Sequence, residues 1–409
     1  MLFDDYIYID FKKDTEARSF FATTSNPKEY LQYIEARFGK KVSNKVPLIF
    51  DEVQQCHQVL SSLKYFKQDY PELPVIATGS MVRLSLKHSE SKNREDDFLF
   101  PVGAINQMDI FPLTFEEYLL NTNKVLLSRI KNAYLERKPL ENYEHELALN
   151  SLYTFLTIGG LPEALDIFIT DNSYVDAKNA TKNIYDNYLS DMDTYNVSNE
   201  TILKTKMVYK NVYAQLSKEN KNFKITQIES GKSNRDYFSA YEWLEHARVV
   251  YRTRRKTGRV TLPLMVGDEG LFRLYLSDEG MFLYQSGVKQ SDFFVKEKRN
   301  TLSGIFYENY VADEFVAKGI PLYYWTGTNS NEFEFIVQNN GKILPIDVKK
   351  SGGKLNSLKA FREYNVKSTA IKISANNYGY DRENDILTIP LYEVFMLAED
   401  IFNDNIQGF

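Results

Sequence analysis

The stretch Val46-Pro47-Leu48-Ile49-Phe50-Asp51-Glu52 decides the fold of the N-terminal part of the chain. Its apolar run ends in two adjacent carboxylates. A short run without polar residues predicts a buried strand that is covered on both faces, as in a parallel sheet. The two carboxylates would then lie at the carboxyl edge of that sheet, where open α/β sheets bind their ligands.

The segments on either side of this strand alternate between strands and helices. Predicted strands cover residues 6–11, 46–52, 74–80 and 105–111, and predicted helices cover 27–38 and 53–70, with a third that starts at 112. Asn26 is the expected N-cap of the first helix and Gly39 its end, and Thr114 with Glu117 forms a capping box for the third. This alternation predicts an α/β domain with a parallel sheet.

The composition of the chain excludes several classes of protein. With 43% apolar and 14% aromatic residues, the 409-residue chain has enough material for two to four folded domains. The net charge of −5 is not that of a general polyanion binder, and the single cysteine excludes internal disulfides and cysteine-based zinc sites. Without an apolar run of about 18 residues or a signal-peptide layout, we expect a cytoplasmic protein with no membrane partner.

Four segments follow from the patterns along the chain. They are an α/β core over 1–120, a helical lid or linker over 121–200, a winged-helix-like segment over 201–290 and a further α/β domain over 291–409. Short helices followed by a basic stretch are typical of a winged helix-turn-helix, which predicts the third segment.

The basic stretch of the third segment is a candidate contact for DNA. The side chains that suit phosphates are Arg252, Arg254, Arg255 and Lys256. The alternative is a solvated hairpin, in which charge keeps a free strand edge from pairing with another chain. Another protein remains an alternative partner to DNA.

The fourth segment predicts the element order α-β-β-β-α-β and a cluster of acids. Alternation along Glu332-Phe333-Glu334-Phe335 places both glutamates on one face, and Asp347 shares a face with Lys349. Gly341 predicts a hairpin between these two strands, so that their polar faces meet. Glu308 lies on the buried stripe of the preceding helix, where a carboxylate needs a partner such as Lys349 or a metal.

Such a cluster suits phosphodiester chemistry. Glu308, Glu334 and Asp347 would hold Mg²⁺, and Lys349 would stabilise a transition state. In its element order and in Glu334…Asp347-Val348-Lys349, the segment resembles the PD-(D/E)xK nuclease, or restriction-endonuclease-like, fold, although Phe333-Glu334 stands where that family has Pro-Asp. The alternative is an internal salt-bridge network that keeps the fold without cleaving anything.

Short sequence motifs spread over nearly the whole chain show a second resemblance. The motifs are Leu48-Ile49-Phe50-Asp51-Glu52-Val53-Gln54, Leu63-Lys64-Tyr65-Phe66, Ala77-Thr78-Gly79-Ser80, Phe100-Pro101-Val102-Gly103, Phe111-Pro112-Leu113-Thr114-Phe115-Glu116-Glu117, Gly159-Gly160-Leu161-Pro162-Glu163, Phe272-Arg273-Leu274-Tyr275-Leu276-Ser277-Asp278, Tyr307-Glu308-Asn309 and Pro345-Ile346-Asp347-Val348-Lys349. As a set they resemble the bacterial and archaeal AAA+-type ATPases that join an N-terminal ATPase module to a C-terminal domain of unknown function.

This resemblance implies roles for the residues at the first sheet edge. Asp51 and Glu52 match the Walker B acids of P-loop NTPases, which implies that Asp51 helps to hold Mg²⁺ and that Glu52 polarises the attacking water. Thr78 and Ser80 stand at the place of sensor 1, which contacts the γ-phosphate or that water. The implied cofactors are ATP and Mg²⁺.

The sequence departs from this family in one respect, because the Walker A pattern G-x-x-x-x-G-K-[ST] does not occur in it. Family members carry a central strand, a P-loop and a helix before the segment that matches residues 6–11. Without them the cradle for the β- and γ-phosphates is missing. We therefore expect an N-terminally truncated ATPase, impaired in binding ATP. The alternatives are a degenerate member whose gap another segment or partner fills, a non-catalytic nucleic-acid-binding protein, and a Mg²⁺-dependent DNA endonuclease.

Overall fold

The computed structural model describes residues 5–79, 103–194, 198–264, 270–328, 331–349 and 356–406, together with Phe3 and without the side chains of 296–303. The chain divides into two compact units, Met1–Ile110 and Phe111–Phe409. The α/β class is confirmed: the first unit holds a parallel sheet, and the second holds a helical part and a mixed sheet. Within the described ranges, no helix is long and apolar enough to cross a membrane.

The first unit is built on a three-stranded parallel sheet whose central strand ends in Asp51. In chain order its elements are β1 (Ile7–Asp10), α1 (Thr15–Phe21), α2 (Pro27–Phe38), β2 (Leu48–Asp51), α3 (His57–Asp69) and β3 (Val75–Ala77). The predicted ends of α2 are confirmed. The Asn26 side chain accepts a hydrogen bond from the amide of Lys28 at 3.0 Å, and Gly39 ends the helix with a φ of 62°.

The helices of the first unit cover one face of this sheet. Leu48 and Phe50 are fully buried on that face. On the other face Tyr8 and Ile76 are each 45% exposed, so the expectation that β2 is covered on both faces is wrong for the described residues. The strand predicted over 105–111 is also wrong. This stretch has no regular structure, and two of its apolar side chains, Met108 and Ile110, stay exposed.

The second unit begins with helices, and its strands start at Val250. Its helices are α4 (Phe115–Thr122), α5 (Lys124–Glu136), α6 (Asn142–Ile158), α7 (Pro162–Asp171), α8 (Tyr174–Asp191), α9 (Asn199–Lys210), α10 (Val212–Leu216), α11 (Phe238–His246), α12 (Glu279–Ser286), α13 (Gln290–Phe294), α14 (Lys296–Ala317), α15 (Asn356–Tyr364) and α16 (Val394–Phe402). The capping box that starts α4 is confirmed, with Thr114 and Glu117 bonded to each other's backbone.

Eight strands of the second unit form one mixed sheet. They are β4 (Val250–Thr257), β5 (Phe272–Leu276), β6 (Tyr323–Thr326), β7 (Glu332–Asn339), β8 (Lys342–Val348), β9 (Ala370–Ser374), β10 (Gly379–Asp381) and β11 (Ile386–Pro390). Their order across the sheet is β10-β11-β9-β8-β7-β6-β4-β5. The predicted α-β-β-β-α-β order is confirmed over α14, β6, β7, β8, α15 and β9.

The basic stretch forms the strand β4, which lies inside this sheet. It pairs antiparallel with β5 on one side and parallel with β6 on the other. The alternative that its charges protect a free edge is therefore wrong, because both edges of β4 are already paired. Three segments predicted separately, 121–200, 201–290 and 291–409, belong to one compact unit.

Candidate functional site

Asp51 lies at the carboxyl edge of the first sheet, where the sequence places it. Its carboxylate accepts hydrogen bonds from the hydroxyls of Tyr8 and Thr78 and from the amide of Glu52, the first and last at 2.5 and 2.9 Å. Burial opposes the negative charge, but the bonds from Thr78 and Tyr8 outweigh it and lower the pKa of Asp51. The group is an ionised oxygen donor at neutral pH.

The neighbouring acid has a different setting. Glu52 adopts the left-handed conformation, with a φ of 54°, as the chain turns out of β2. Its carboxylate accepts a hydrogen bond from Nε2 of the Gln54 side chain. The structure thus brings Asp51, Glu52 and Thr78 to one sheet edge, while Ser80 lies outside the described residues.

Tyr8 is a member of this site that the sequence reasoning missed. Alternation along β1 places it on the partly open face, and its hydroxyl reaches Asp51 across the neighbouring strand. The hydrogen bond to that carboxylate raises the pKa of Tyr8 to about 12. The alternation Ile7-Tyr8-Ile9, with a tyrosine between two isoleucines, was the sequence signal that could have placed Tyr8 on this face.

The second candidate site is the carboxylate cluster on one face of the eight-stranded sheet. Glu334 contacts the ammonium group of Lys349 at 3.2 Å, and Lys349 contacts Asp347 at 2.9 Å. The predicted meeting of these three side chains across the β7–β8 hairpin is therefore seen in the structure. The amide of Val348 also donates to Glu334 at 3.2 Å.

Glu308 reaches the same cluster from α14, but its partner is not the expected one. Instead of Lys349 or a metal, Lys221 binds it, with Nζ 2.5 Å from Oε1 of Glu308. The same ammonium group lies 3.6 Å from Glu334 and 3.8 Å from Glu332. Glu332 in turn pairs with Arg273 at 2.6 Å.

The pKa values of Glu334 and Asp347, the two carboxyls on the hairpin, are shifted in opposite directions. Burial disfavours the charge on both. Lys221 and Lys349 outweigh burial at Glu334 and lower its pKa to about 2. At Asp347, burial and the nearby negative charge of Glu334 raise the pKa to about 7. The pair thus favours a state with one proton on Asp347 and the negative charge on Glu334.

Sequence reasoning missed Lys221 and Arg273 for different reasons. Lys221 belongs to a polar loop after α10, and nothing in its neighbours distinguishes it from a solvated lysine. Arg273 is the only charge in the strand Phe272–Leu276, and it is 2% exposed. A single charge in an otherwise apolar strand needs a buried partner, so this signal was available.

The residues of the cluster do not fit a divalent metal as they stand. Across the described parts of the chain, no group of three or more histidine, cysteine, aspartate or glutamate side chains is arranged to hold one. The space between Glu308 and Glu334 holds the ammonium group of Lys221. The salt-bridge alternative matches this geometry, and Mg²⁺ ligation by Glu308, Glu334 and Asp347 remains a prediction.

The basic stretch also pairs within the protein. Arg252 contacts Glu242 at 2.5 Å and Glu245 at 2.6 Å, and Arg254 contacts Glu245 at 3.3 Å. Nζ of Lys256 lies 5.4 Å from the ring centre of Tyr323. The charges of the two arginines are therefore balanced by α11 rather than left for a polyanion. Contact of Arg252, Arg254, Arg255 and Lys256 with DNA remains a prediction.

The motif Gly159-Gly160-Leu161-Pro162-Glu163 forms a buried hydrogen bond to a distant part of the chain. Asp278 is buried, and its carboxylate accepts hydrogen bonds from the amides of Gly160 and Met281 at 2.7 and 2.8 Å. Burial raises the pKa of Asp278 to about 6, although these backbone amides stabilise its charge. One carboxylate thus joins the starts of α7 and α12. Two motifs that are distant in the sequence, 159–163 and 272–278, therefore meet in the fold.

Comparison with known families gives three matches along the chain. They are an AAA domain over residues 2–119, the domain of unknown function DUF8612 over 149–292, and the domain of unknown function DUF4143 over 303–393. A solved structure, the Walker-type ATPase PABY2304 of Pyrococcus abyssi, aligns at 12% identity and a TM-score of 0.39 over 69% of this chain and 84% of that chain. No curated protein matches the sequence. An AAA domain over residues 2–119 followed by DUF4143 over 303–393 supports the resemblance of this chain to AAA+-type ATPases with a C-terminal domain of unknown function.

Proposed function

We propose that the N-terminal unit provides the Mg²⁺ and water side of an ATP site. The observation that carries this proposal is the meeting of Asp51 and Thr78 at the carboxyl edge of the parallel sheet. Such an edge is the ligand-binding edge of open α/β sheets. In this arrangement Asp51 would hold Mg²⁺, Glu52 would polarise the attacking water, and Thr78 or Ser80 would contact the γ-phosphate or that water.

Asp51 has the chemistry that a magnesium ligand needs. Mg²⁺ prefers ionised carboxylate oxygens and keeps several of its own waters. The lowered pKa of Asp51 keeps it ionised, and the hydroxyls of Tyr8 and Thr78 each donate to one of its two oxygens. Bound Mg²⁺ would supply charge neutralisation at the phosphates, and Tyr8 and Thr78 would orient the carboxylate.

The phosphate side of the site sets the strength of binding. A P-loop binds the β- and γ-phosphates through backbone amides, a helix N-terminus and a lysine. Since the sequence has no G-x-x-x-x-G-K-[ST], we expect these 409 residues to bind Mg²⁺–ATP weakly. A dissociation constant of about 1 mM corresponds to only about 4 kcal/mol of binding free energy.

Calorimetric titration of the full chain with ATP tests this proposal. We expect weak binding that requires Mg²⁺ and that is lost in Asp51→Asn. Glu35→Gln, an exposed change on α2, is the matched control and should bind like the parent chain. Equal binding by the parent and Asp51→Asn, or no Mg²⁺-dependent binding at all, would refute the assignment. Sub-micromolar binding of ATP would instead refute the expectation that a chain without the P-loop sequence binds ATP weakly.

A further inference from the structure

Lys221 enters the carboxylate cluster from outside the strands that build it. It lies in the loop that follows α10, and its Nζ lies 2.5 Å from Glu308 on α14 and 3.6 Å from Glu334 on β7. The two carboxylates are 4% and 1% exposed, and the side chain of Lys221 is 18% exposed. An ammonium group is thus held between two acids that are almost completely removed from water.

The charges of the cluster are nearly balanced by the protein alone. Its acids are Glu308, Glu332, Glu334 and Asp347, and its cations are Lys221, Lys349 and Arg273. Among the described residues, the cluster therefore holds four acids and three cations. Buried acids need such compensation, because an unpaired buried charge is strongly destabilising.

We propose that the ammonium group of Lys221 is the resident cation of this cluster and occupies the position that a divalent metal shared by Glu308 and Glu334 would need. Mg²⁺ requires oxygen ligands at about 2.0–2.1 Å in near-octahedral geometry. A second cation between the same carboxylates would meet Lys221 at close range, where like charges repel. Lys221 is therefore an intramolecular block on metal binding.

A second observation indicates where a metal would bind once Lys221 is removed. Oε2 of Glu308 is buried and has no hydrogen-bond partner among the residues that the structure describes. Removal of the ammonium group would leave both oxygens of this carboxylate without a donor, next to Glu334. Such a site favours a hard divalent cation, since hard cations take carboxylate oxygens as ligands.

The test uses the full chain and the substitution Lys221→Met, with Mn²⁺ as the probe. Thermal unfolding is followed by tryptophan fluorescence, because both tryptophans, Trp243 and Trp325, lie in the second unit. We expect Lys221→Met to lower the unfolding midpoint by about 5–10 °C, since it leaves a buried charge unpaired. Millimolar Mn²⁺ should restore at least half of this loss, and it should shift the midpoint of the parent chain by less than about 1 °C.

Three further variants separate the explanations. Lys218→Met, an exposed change in the same loop, should behave like the parent chain. Lys221→Met combined with Glu308→Gln should not respond to Mn²⁺, because one ligand is lost. Stabilisation of the parent chain by Mn²⁺, or no Mn²⁺ response in Lys221→Met, would overturn the proposal. Should Lys221→Met fail to fold, Lys221→Arg keeps the cation and is expected to fold without a Mn²⁺ response, and a response there would overturn the proposal too.

Discussion

The substitution Gly160→Ala tests the junction between the helices α6 and α7 of the second unit. A Cβ atom built on Gly160 would lie 2.1 Å from the carbonyl oxygen of Leu113 and 2.9 Å from its amide nitrogen. Both are backbone atoms, so no side-chain rotation can relieve the overlap. The two chain segments must separate by about 1 Å to reach ordinary contact distance.

The cost of that separation follows from the hydrogen bonds it breaks. The amide of Leu113 donates to the carbonyl of Gly160 at 2.7 Å, and the amide of Gly160 donates to the buried carboxylate of Asp278 at 2.7 Å. A neutral bond contributes about 1 kcal/mol, and a bond to a charged group about 1.5–3 kcal/mol. We therefore expect Gly160→Ala to lower the free energy of unfolding by about 3 kcal/mol.

Urea unfolding at pH 7.5, followed by tryptophan fluorescence, measures this loss in the second unit. Gly379→Ala is the matched control, because a Cβ there meets nothing within 4 Å and the backbone is not left-handed. The control should change the free energy of unfolding by less than about 0.5 kcal/mol. If Gly160→Ala changes the free energy of unfolding as little as the control does, then the close approach to Leu113 and the hydrogen bond to Asp278 do not stabilise the second unit as expected.

Two further predictions concern ionisation. Tyr8→Phe removes the hydroxyl that donates to Asp51 at 2.5 Å, so the lowered pKa of Asp51 should rise in an NMR titration of its carboxyl carbon. A lowered folded-state pKa adds stability above the unfolded pKa that is lost as the pH falls, so parent and variant should converge in acid. Asp347→Asn should be more favourable for stability at pH 8 than at pH 5 in chemical denaturation. The pKa of Asp347, raised to about 7 by burial and Glu334, means that its ionisation on going to pH 8 opposes folding.

Both ionisation predictions have simple checks. Tyr6→Phe, which changes a more exposed tyrosine just before β1, should leave the titration of Asp51 unchanged. An unchanged pKa of Asp51 in Tyr8→Phe would contradict the role given to that hydroxyl. For Asp347→Asn, a stability difference from the parent chain that is equal at pH 5 and pH 8 would show that Asp347 does not titrate in this range.

Local chemistry determined much of this protein from the sequence alone. Asn26 and Gly39 mark the ends of α2 because capping and left-handed termination depend only on residues near the helix end. Glu334, Asp347 and Lys349 were placed together because alternation along a strand and a short hairpin fix which side chains share a face. The sheet edge with Asp51 and Thr78 followed from the alternation of strands and helices, which predicts a parallel sheet with its carboxyl strand ends at one edge.

Only the tertiary structure decided which distant groups became partners. Lys221 lies 87 positions from Glu308 along the chain, and no periodicity links a loop lysine to a helix acid. The pairing of β4 with β6 likewise depends on a crossover from another segment, which turned a predicted free edge into an interior strand. Periodicity determines which face of an element a side chain occupies, whereas the charge that meets it there depends on how separate elements pack. For that reason the sequence predicted the acids of the cluster, and the folded chain alone revealed their resident cation.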